Sequence, residues 1–180
     1  YRRVVELIQT GAIGKVSECH VWVGRAWGLQ SPEDAKAHGD IVSVQDRPKN
    51  VDPIPPELDW DLWLGTAPFR DFNPTYIPAI WRGWVDFGTG SLGDMGCHFI
   101  DVPFRALKLG YPTAVECSVT RTYTGFFQEV FYTDSYPLSS KIHIQFPQRG
   151  KMVPVEMVWY DGGITPKRPK ELLPEEQLGE

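Results

Sequence analysis

The second half of the chain alternates between apolar and polar residues, and this pattern constrains the fold most. In the segment 141–146, Ile142, Ile144 and Phe146 take one side and polar residues take the other. A period of two predicts a strand with one covered face and one wet face. Short turns between such segments favour antiparallel pairing. The strands predicted here are 114–121, 127–133, 141–146 and 153–160, and the same alternation occurs earlier at 17–23.

Two helical patterns can cover the apolar side of that sheet. Residues 3–9 form a short amphipathic repeat that ends before Gly11, and residues 92–109 form a longer repeat closed by Gly110. Pro103 should kink or split the longer helix because it lacks a backbone donor. A further short helix is predicted over 59–65. The class is therefore α+β, a predominantly antiparallel open β-sheet with helices packed on one face.

Composition limits the classes of protein to consider. A chain of 180 residues suits one domain, 1–180, with 28–56 as a surface excursion and 162–180 as an exposed loop or tail. The net charge of −5 and the scattered basic residues argue against nucleic acid as a partner. The sequence contains no apolar run long enough for a membrane span, so we expect no membrane association.

Cysteine usage and the first residues bear on localisation. Cys19, Cys97 and Cys117 fit neither a zinc motif nor a disulfide framework, and we expect three reduced core thiols. Tyr1 leads directly into a helical pattern without an initiator Met, so we expect the true N-terminus to be missing. Localisation is therefore unknown from the sequence, with the cytoplasm favoured and export left open.

The predicted helix over 92–109 carries its charged residues in one stripe, about 80° wide. Such a narrow stripe predicts a largely buried helix whose polar side borders a confined space. Asp94 and His98 are one turn apart in this stripe, and such a pair can transfer a proton. The stripe comprises Asp94, His98, Asp101, Arg105 and Lys108.

Two other interpretations of the stripe stay open. It can be the solvated side of a packed helix with i,i+4 ion pairs. A metal site formed by Asp94, His98 and the distant His143 would need a placement of the third ligand that nothing in the sequence supports. We expect no metal.

Several motifs together resemble one family. They are 6–16 (ELIQTGAIGKV), 59–65 (DWDLWLG), 81–84 (WRGW) and 86–98 (DFGTGSLGDMGCH). In this order and spacing they resemble the C-terminal domain of the glucose-fructose oxidoreductase / inositol dehydrogenase / MocA (Gfo/Idh/MocA) family. The resemblance runs to about residue 109, with a matching strand order to about residue 160.

The resemblance implies an activity. Family members join a Rossmann domain that binds NAD or NADP to a substrate-binding, catalytic C-terminal domain, and they transfer a hydride between nicotinamide and a sugar, polyol or related alcohol. It implies that His98 takes the proton of the substrate hydroxyl. It also implies that Asp94 orients the His98 ring or stabilises its charge. The resemblance also implies a homo-oligomer formed through the open sheet face.

The family's cofactor-binding parts are missing from the sequence. The only G-x-G-x-x-G spacing, 88–93, follows no long apolar strand, and the Glu-Lys-Pro segment that supplies the family's catalytic lysine is absent. We therefore expect no cofactor-binding residues here, and we expect this fragment to be inactive without its Rossmann domain.

Four residues are candidates for contact with a small carbohydrate-like substrate. Arg25 and Trp27 follow the first predicted strand, where side chains often reach a site. Arg82 and Trp84 precede the helix and could stack on a sugar and hydrogen-bond to it. The alternative is that the aromatic residues belong to the core and that Arg82 faces solvent.

Two other functions stay open. Some members of the family use the bound nicotinamide transiently to cleave glycosidic bonds, so an NAD-dependent glycoside hydrolase is possible. A non-catalytic oligomerisation or partner-binding module would use the outer face of the sheet and leave the pair of Asp94 and His98 inert.

Overall fold

A computed structural model describes residues 1–25, 27, 31–37 and 46–178, so part of the predicted excursion 28–56 lies outside the described residues. The helices are α1 Arg2–Gln9, α2 Pro32–Ala37, α3 Trp60–Leu64, α4 Gly90–Phe99 and α5 Asp101–Ala106, with short 3-10 turns at Pro74–Tyr76 and Ile80–Gly83. The strands are β1 Glu18–Trp22, β2 Ala114–Val119, β3 Thr122–Thr124, β4 Gln128–Val130, β5 Ser140–Phe146 and β6 Val155–Tyr160.

The chain forms two compact units, each built from separate stretches. The first comprises Tyr1–Arg25, Met95–Val119 and Ser139–Glu180, and the second comprises Ala26–Asp94 and Thr120–Leu138. Residues 162–178 contain neither helix nor strand. Within the described part of the chain, no helix combines the length and apolar character needed to cross a membrane.

The first unit contains a four-stranded sheet in the order β1-β6-β5-β2. Pairing is antiparallel between β2 and β5 and between β5 and β6, which confirms the predicted α+β class. The edge strand β1 instead runs parallel to β6, with Glu18 beside Glu156. Parallel pairing arises because β1 reaches β6 through most of the chain rather than through a tight turn.

The face predicted to be apolar is buried in three strands, but in β6 the opposite face, predicted to be wet, is buried as well at Val158 and Tyr160. Val21, Ile142, Met157 and Trp159 are all buried, and Met157 and Trp159 are fully enclosed. In contrast, every residue of β2 is exposed. The expectation of a covered face was therefore wrong for this edge strand, which has only one neighbouring strand.

A buried carboxylate joins the start of β5 to the end of β6. Asp161 accepts hydrogen bonds from the backbone N–H of Ser140 at 2.5 Å and from its hydroxyl at 2.6 Å. It also accepts one from Nε1 of Trp159 at 2.7 Å. These three donors are satisfied inside the protein, as burial requires.

The predicted strand at 127–133 does not join the main sheet. Only Gln128–Val130 is extended, and it pairs with Thr122–Thr124 in a separate two-stranded ribbon of the second unit. Phe127, whose φ is 56°, lies in the turn of this ribbon. Alternation alone could not distinguish a short ribbon from a strand of the main sheet.

Aromatic residues form the core of the second unit. The short helix α3 begins after Asp59, whose side chain accepts a hydrogen bond from Leu62 N at 3.0 Å, and ends at Gly65, as its sequence predicts. Trp60 stacks on Trp63 with ring centroids 4.7 Å apart. The buried cluster comprises Trp27, Trp60, Leu64, Phe72, Tyr76 and Trp84.

The long helix predicted over 92–109 is split, as Pro103 indicated. Helix α4 ends at Phe99, and α5 begins at Asp101. Proline cannot donate the backbone hydrogen bond that a continuous helix would make to the carbonyl of Phe99. The polar stripe is thus divided between two helices, with Asp94 and His98 both in α4.

The three cysteines are free, as predicted, but they are not all core residues. Cys19 is half-buried, whereas Cys97 and Cys117 are exposed. Burial raises the pKa of the Cys19 thiol to about 11. The prediction of three core thiols was therefore wrong for Cys97 and Cys117, because the elements that carry them are less covered than their sequences suggested.

Candidate active site

Helix α4 carries the predicted catalytic pair one turn apart. The Asp94 side chain is about 20% exposed, and His98 lies on an exposed surface together with Gly93 and Cys97. The expectation that this helix is largely buried was therefore wrong. Its apolar residues do not make it a core helix, since Phe99 is 39% exposed.

Arg82 fixes the carboxylate of Asp94. Its Nε donates to Asp94 Oδ1 at 2.6 Å, and its Nη1 donates to the carbonyl of Ala79 at 3.1 Å. The guanidinium carbon lies 4.6 Å from the centroid of the Trp81 ring and 5.2 Å from that of Trp27. These contacts restrict Arg82, and a charge-assisted hydrogen bond of this length orients the carboxylate.

The pairing of Arg82 with Asp94 was missed at the level of sequence. The two residues are 12 positions apart and belong to different elements. Arg82 was expected to contact substrate, but in the structure its Nε donates a hydrogen bond to Asp94. No local pattern in the sequence indicates this pairing.

The glycines of the G-x-G-x-x-G spacing serve the packing of the protein itself. A Cβ on Gly88 would lie 2.6 Å from the backbone of Arg82, and one on Gly90 would lie 2.7 Å from the Tyr136 ring. A Cβ on Gly93 would overlap the Thr89 side chain. Internal packing therefore accounts for the glycines at these three positions.

Trp27 and Trp84, two of the predicted substrate contacts, lie in the aromatic core. Trp84 is 2% exposed and donates from Nε1 to the carbonyl of Thr75 at 3.0 Å. Trp27 is buried as well, and its Nε1 has no hydrogen-bond partner among the described residues. Both indole rings therefore act as core residues in this structure.

Arg25 is exposed and lines a cavity of about 530 Å³ within the first unit. Met95 and Phe99 of α4 line the same cavity. Phe99 is offset by about 100° around the helix from His98. The volume lies within the range of about 300–1,000 Å³ that small-molecule sites occupy. Other lining residues are Trp22, Ile164 and Thr165.

A metal centre finds no support in the described residues. No group of three or more His, Cys, Asp or Glu side chains among them could hold an ion. His143, the third ligand of the metal interpretation, makes a hydrogen bond from Nδ1 to Glu156 at 2.8 Å on the sheet. Its ring is thus already engaged by a carboxylate.

Comparison with known families identifies the central part of the chain. Residues 40–122 match the family described as "Oxidoreductase family, C-terminal alpha/beta domain". This segment includes α3, the Arg82–Asp94 pair and α4 with His98. No curated protein gives a significant match to the chain. This match confirms the family recognised in the motifs, the C-terminal domain of the Gfo/Idh/MocA oxidoreductases, over residues 40–122 of the 180-residue chain.

Proposed function

We propose that this chain is the substrate-binding part of an NAD(P)-dependent oxidoreductase that acts on a sugar, a polyol or a related alcohol. The observation that carries the proposal is Asp94 and His98 one turn apart on α4, with Asp94 oriented by Arg82. The family match spans all three residues. When bound, nicotinamide supplies the hydride chemistry.

In this proposal His98 takes and returns the proton of the reacting hydroxyl. Imidazole is suited to this role because it gains and loses a proton near neutral pH in most settings. The exposure of His98 leaves its ring open to a substrate. Asp94 orients that ring, and Arg82 is a positioning residue that acts through Asp94.

The proposed substrate site includes the cavity beside α4. Arg25 can donate hydrogen bonds to hydroxyl groups, and the Trp22 ring can pack against the apolar face of a sugar. A cavity of about 530 Å³ is large enough for a monosaccharide. Arg25 is the one predicted substrate contact that lines it.

We place dinucleotide binding on a separate nucleotide-binding domain. No described strand leads directly into the glycine spacing at 88–93, and internal packing accounts for its three glycines. The exposed side of α4 around His98 would then face that domain. The present chain alone would be inactive.

The test of this proposal is His98→Ala in the full-length enzyme, with His143→Ala as a matched control on the sheet. Loss of an acid–base group should reduce turnover by about 10²-fold or more. The dissociation constant for the dinucleotide should change little. His143→Ala should retain turnover, because its ring pairs with Glu156.

Unchanged turnover in His98→Ala would refute the proposed role. Product analysis separates the two enzymatic alternatives: net reduction of the dinucleotide supports an oxidoreductase. Sugar release without net reduction would refute that assignment and indicate a glycoside hydrolase.

We further propose that the enzyme is a homo-oligomer that uses the open sheet. The supporting observation is the exposed edge strand β2, where Val115 and Val119 are 61% and 48% exposed. A second copy could bury these side chains. Sedimentation should show a smaller assembly for the double variant Val115→Lys/Val119→Lys, and an unchanged assembly would refute this use of β2.

A further inference from the structure

Three lysines line a small cavity in the first unit that the proposed function does not use. The cavity holds about 220 Å³ and lies among the end of α1, the end of α5 and the turn before β6. The lysines are Lys15, Lys108 and Lys151, and no Asp or Glu lines the cavity. All three side chains belong to exposed residues.

These lysines have no acidic partner within the described ranges. The ion pairs found there involve other cations, and none includes Lys15, Lys108 or Lys151. In a chain with a net charge of −5, three uncompensated cations around one cavity are unexpected. A bound anion would be attracted to these cations.

Neutralisation of helix ends does not account for the three lysines. The carbonyl of Leu107, just after α5, accepts from Arg149 Nε at 3.2 Å and from its Nη2 at 3.1 Å. The carbonyl of Arg105 accepts from Gln9 Nε2 at 3.1 Å. Thr10 similarly caps the carbonyl of Glu6 at the end of α1, at 2.8 Å. Other groups therefore satisfy these exposed carbonyls.

The rest of the lining is mostly apolar, which suggests a ligand with both an anionic and an apolar part. The volume is below the roughly 300 Å³ at which pockets for drug-sized ligands begin, so the ligand must be compact. Gly11 and Gly14, with φ of 82° and 77°, form the turn along one side. The apolar lining comprises Ile8, Val16, Leu107, Met152 and Val153.

We propose that this cavity binds a small phosphate monoester, with the phosphate among the three lysines and a compact apolar group on the lining side chains. A phosphate monoester carries nearly two negative charges at neutral pH, so it compensates two of the three lysines. One carboxylate would leave two of these cations uncompensated. The cavity is a binding site, and the proposal includes no reaction.

The test is a titration of the 180-residue chain with phenyl phosphate, followed by NMR of the backbone amides of Met152 and Val153. Saturable shifts at these amides are expected, with displacement by inorganic phosphate. Benzoate should bind at least several-fold more weakly, because it carries one charge. Added salt should weaken binding of phenyl phosphate through screening.

Charge-removing variants locate the site. Lys108→Gln and Lys151→Gln should each weaken the binding of phenyl phosphate about fivefold. This factor corresponds to the loss of the attraction between two unit charges roughly 4 Å apart in water. Gln keeps the Cβ of Lys108, so the strain of its φ of 50° is unchanged. Lys170→Gln, in the exposed C-terminal segment, is the control and should bind normally.

Three results would overturn the proposal: no saturable shift at tens of millimolar phenyl phosphate, equal binding of benzoate, or an equal effect of Lys170→Gln. Circular dichroism of each variant shows whether it is folded, and Lys15→Gln gives a third independent measurement. Because the readout is binding rather than turnover, these results are independent of the role proposed for His98.

Discussion

Replacing Asp161 tests whether its buried hydrogen bonds hold the central hairpin of the sheet together. Its carboxylate accepts from Ser140 N, from the Ser140 hydroxyl and from Trp159 Nε1, at 2.5, 2.6 and 2.7 Å. Asp161→Ala leaves these buried donors without their acceptor. At roughly 1.5 kcal/mol for each of the three hydrogen bonds to a charged group, the free energy of unfolding should fall by about 4.5 kcal/mol. This is a large fraction of the roughly 5–15 kcal/mol typical of a domain.

The Asn variant separates shape from hydrogen bonding. Asp161→Asn keeps one acceptor for Ser140 N but places an amide N–H₂ near Trp159 Nε1, which is a donor only. Urea unfolding should show an intermediate loss of about 2 kcal/mol. In a Trp159→Phe background the same change should cost less, because the opposing donor is absent, and a double-mutant cycle measures the difference.

An exposed acidic residue supplies the control for this series. Glu171→Gln removes one negative charge from an exposed position and should leave the urea midpoint unchanged. If Asp161→Ala lowered the free energy of unfolding by less than about 1 kcal/mol, the hydrogen bonds of Asp161 would not stabilise the hairpin as argued. Absence of coupling between the Asp161 and Trp159 variants would refute the specific role of the indole N–H.

Two further predictions concern thiol reactivity and glycine packing. A maleimide should modify the exposed Cys97 before Cys19, because burial raises the pKa of the Cys19 thiol to about 11. At pH 8 only about one part in a thousand of Cys19 is thiolate, and the fraction rises as pH increases. Peptide mass spectrometry measures both rates, and equal rates would contradict this reasoning. Gly88→Ala should destabilise by about 2 kcal/mol, because its Cβ would lie 2.6 Å from the Arg82 backbone. A Cβ on Gly110 would meet no atom within 4 Å, so Gly110→Ala should change the urea midpoint little. Equal urea midpoints for Gly88→Ala and Gly110→Ala would refute the packing argument.

Local patterns predicted much of the fold. Alternation located β5 and β6 and the covered face of β5, but it did not indicate that both faces of β6 are buried. Asp59 and Gly65 marked the ends of α3, since each acts on its own backbone neighbours. Pro103 marked the division between α4 and α5 for the same reason.

Features that depend on distant residues were not predictable. The parallel pairing of β1 with β6 and the exposure of β2 follow from strand order, which alternation does not encode. Asp94 and His98 could be placed on one helix from the sequence, because they are one helical turn apart. Arg82 was assigned to a substrate, since nothing in its local sequence indicates that its partner is Asp94.

The pairing of β1 with β6 has a consequence for folding. Glu18 and Glu156 are neighbours in the sheet but are 138 positions apart in the chain, from 156 minus 18. Such a contact closes a long loop and forms late, after β5 and β6 have met through a much shorter loop. Until β1 arrives, β6 has an open hydrogen-bonding edge beside Met157 and Trp159. An intermediate of that kind is prone to aggregate, so refolding yield should fall as protein concentration rises.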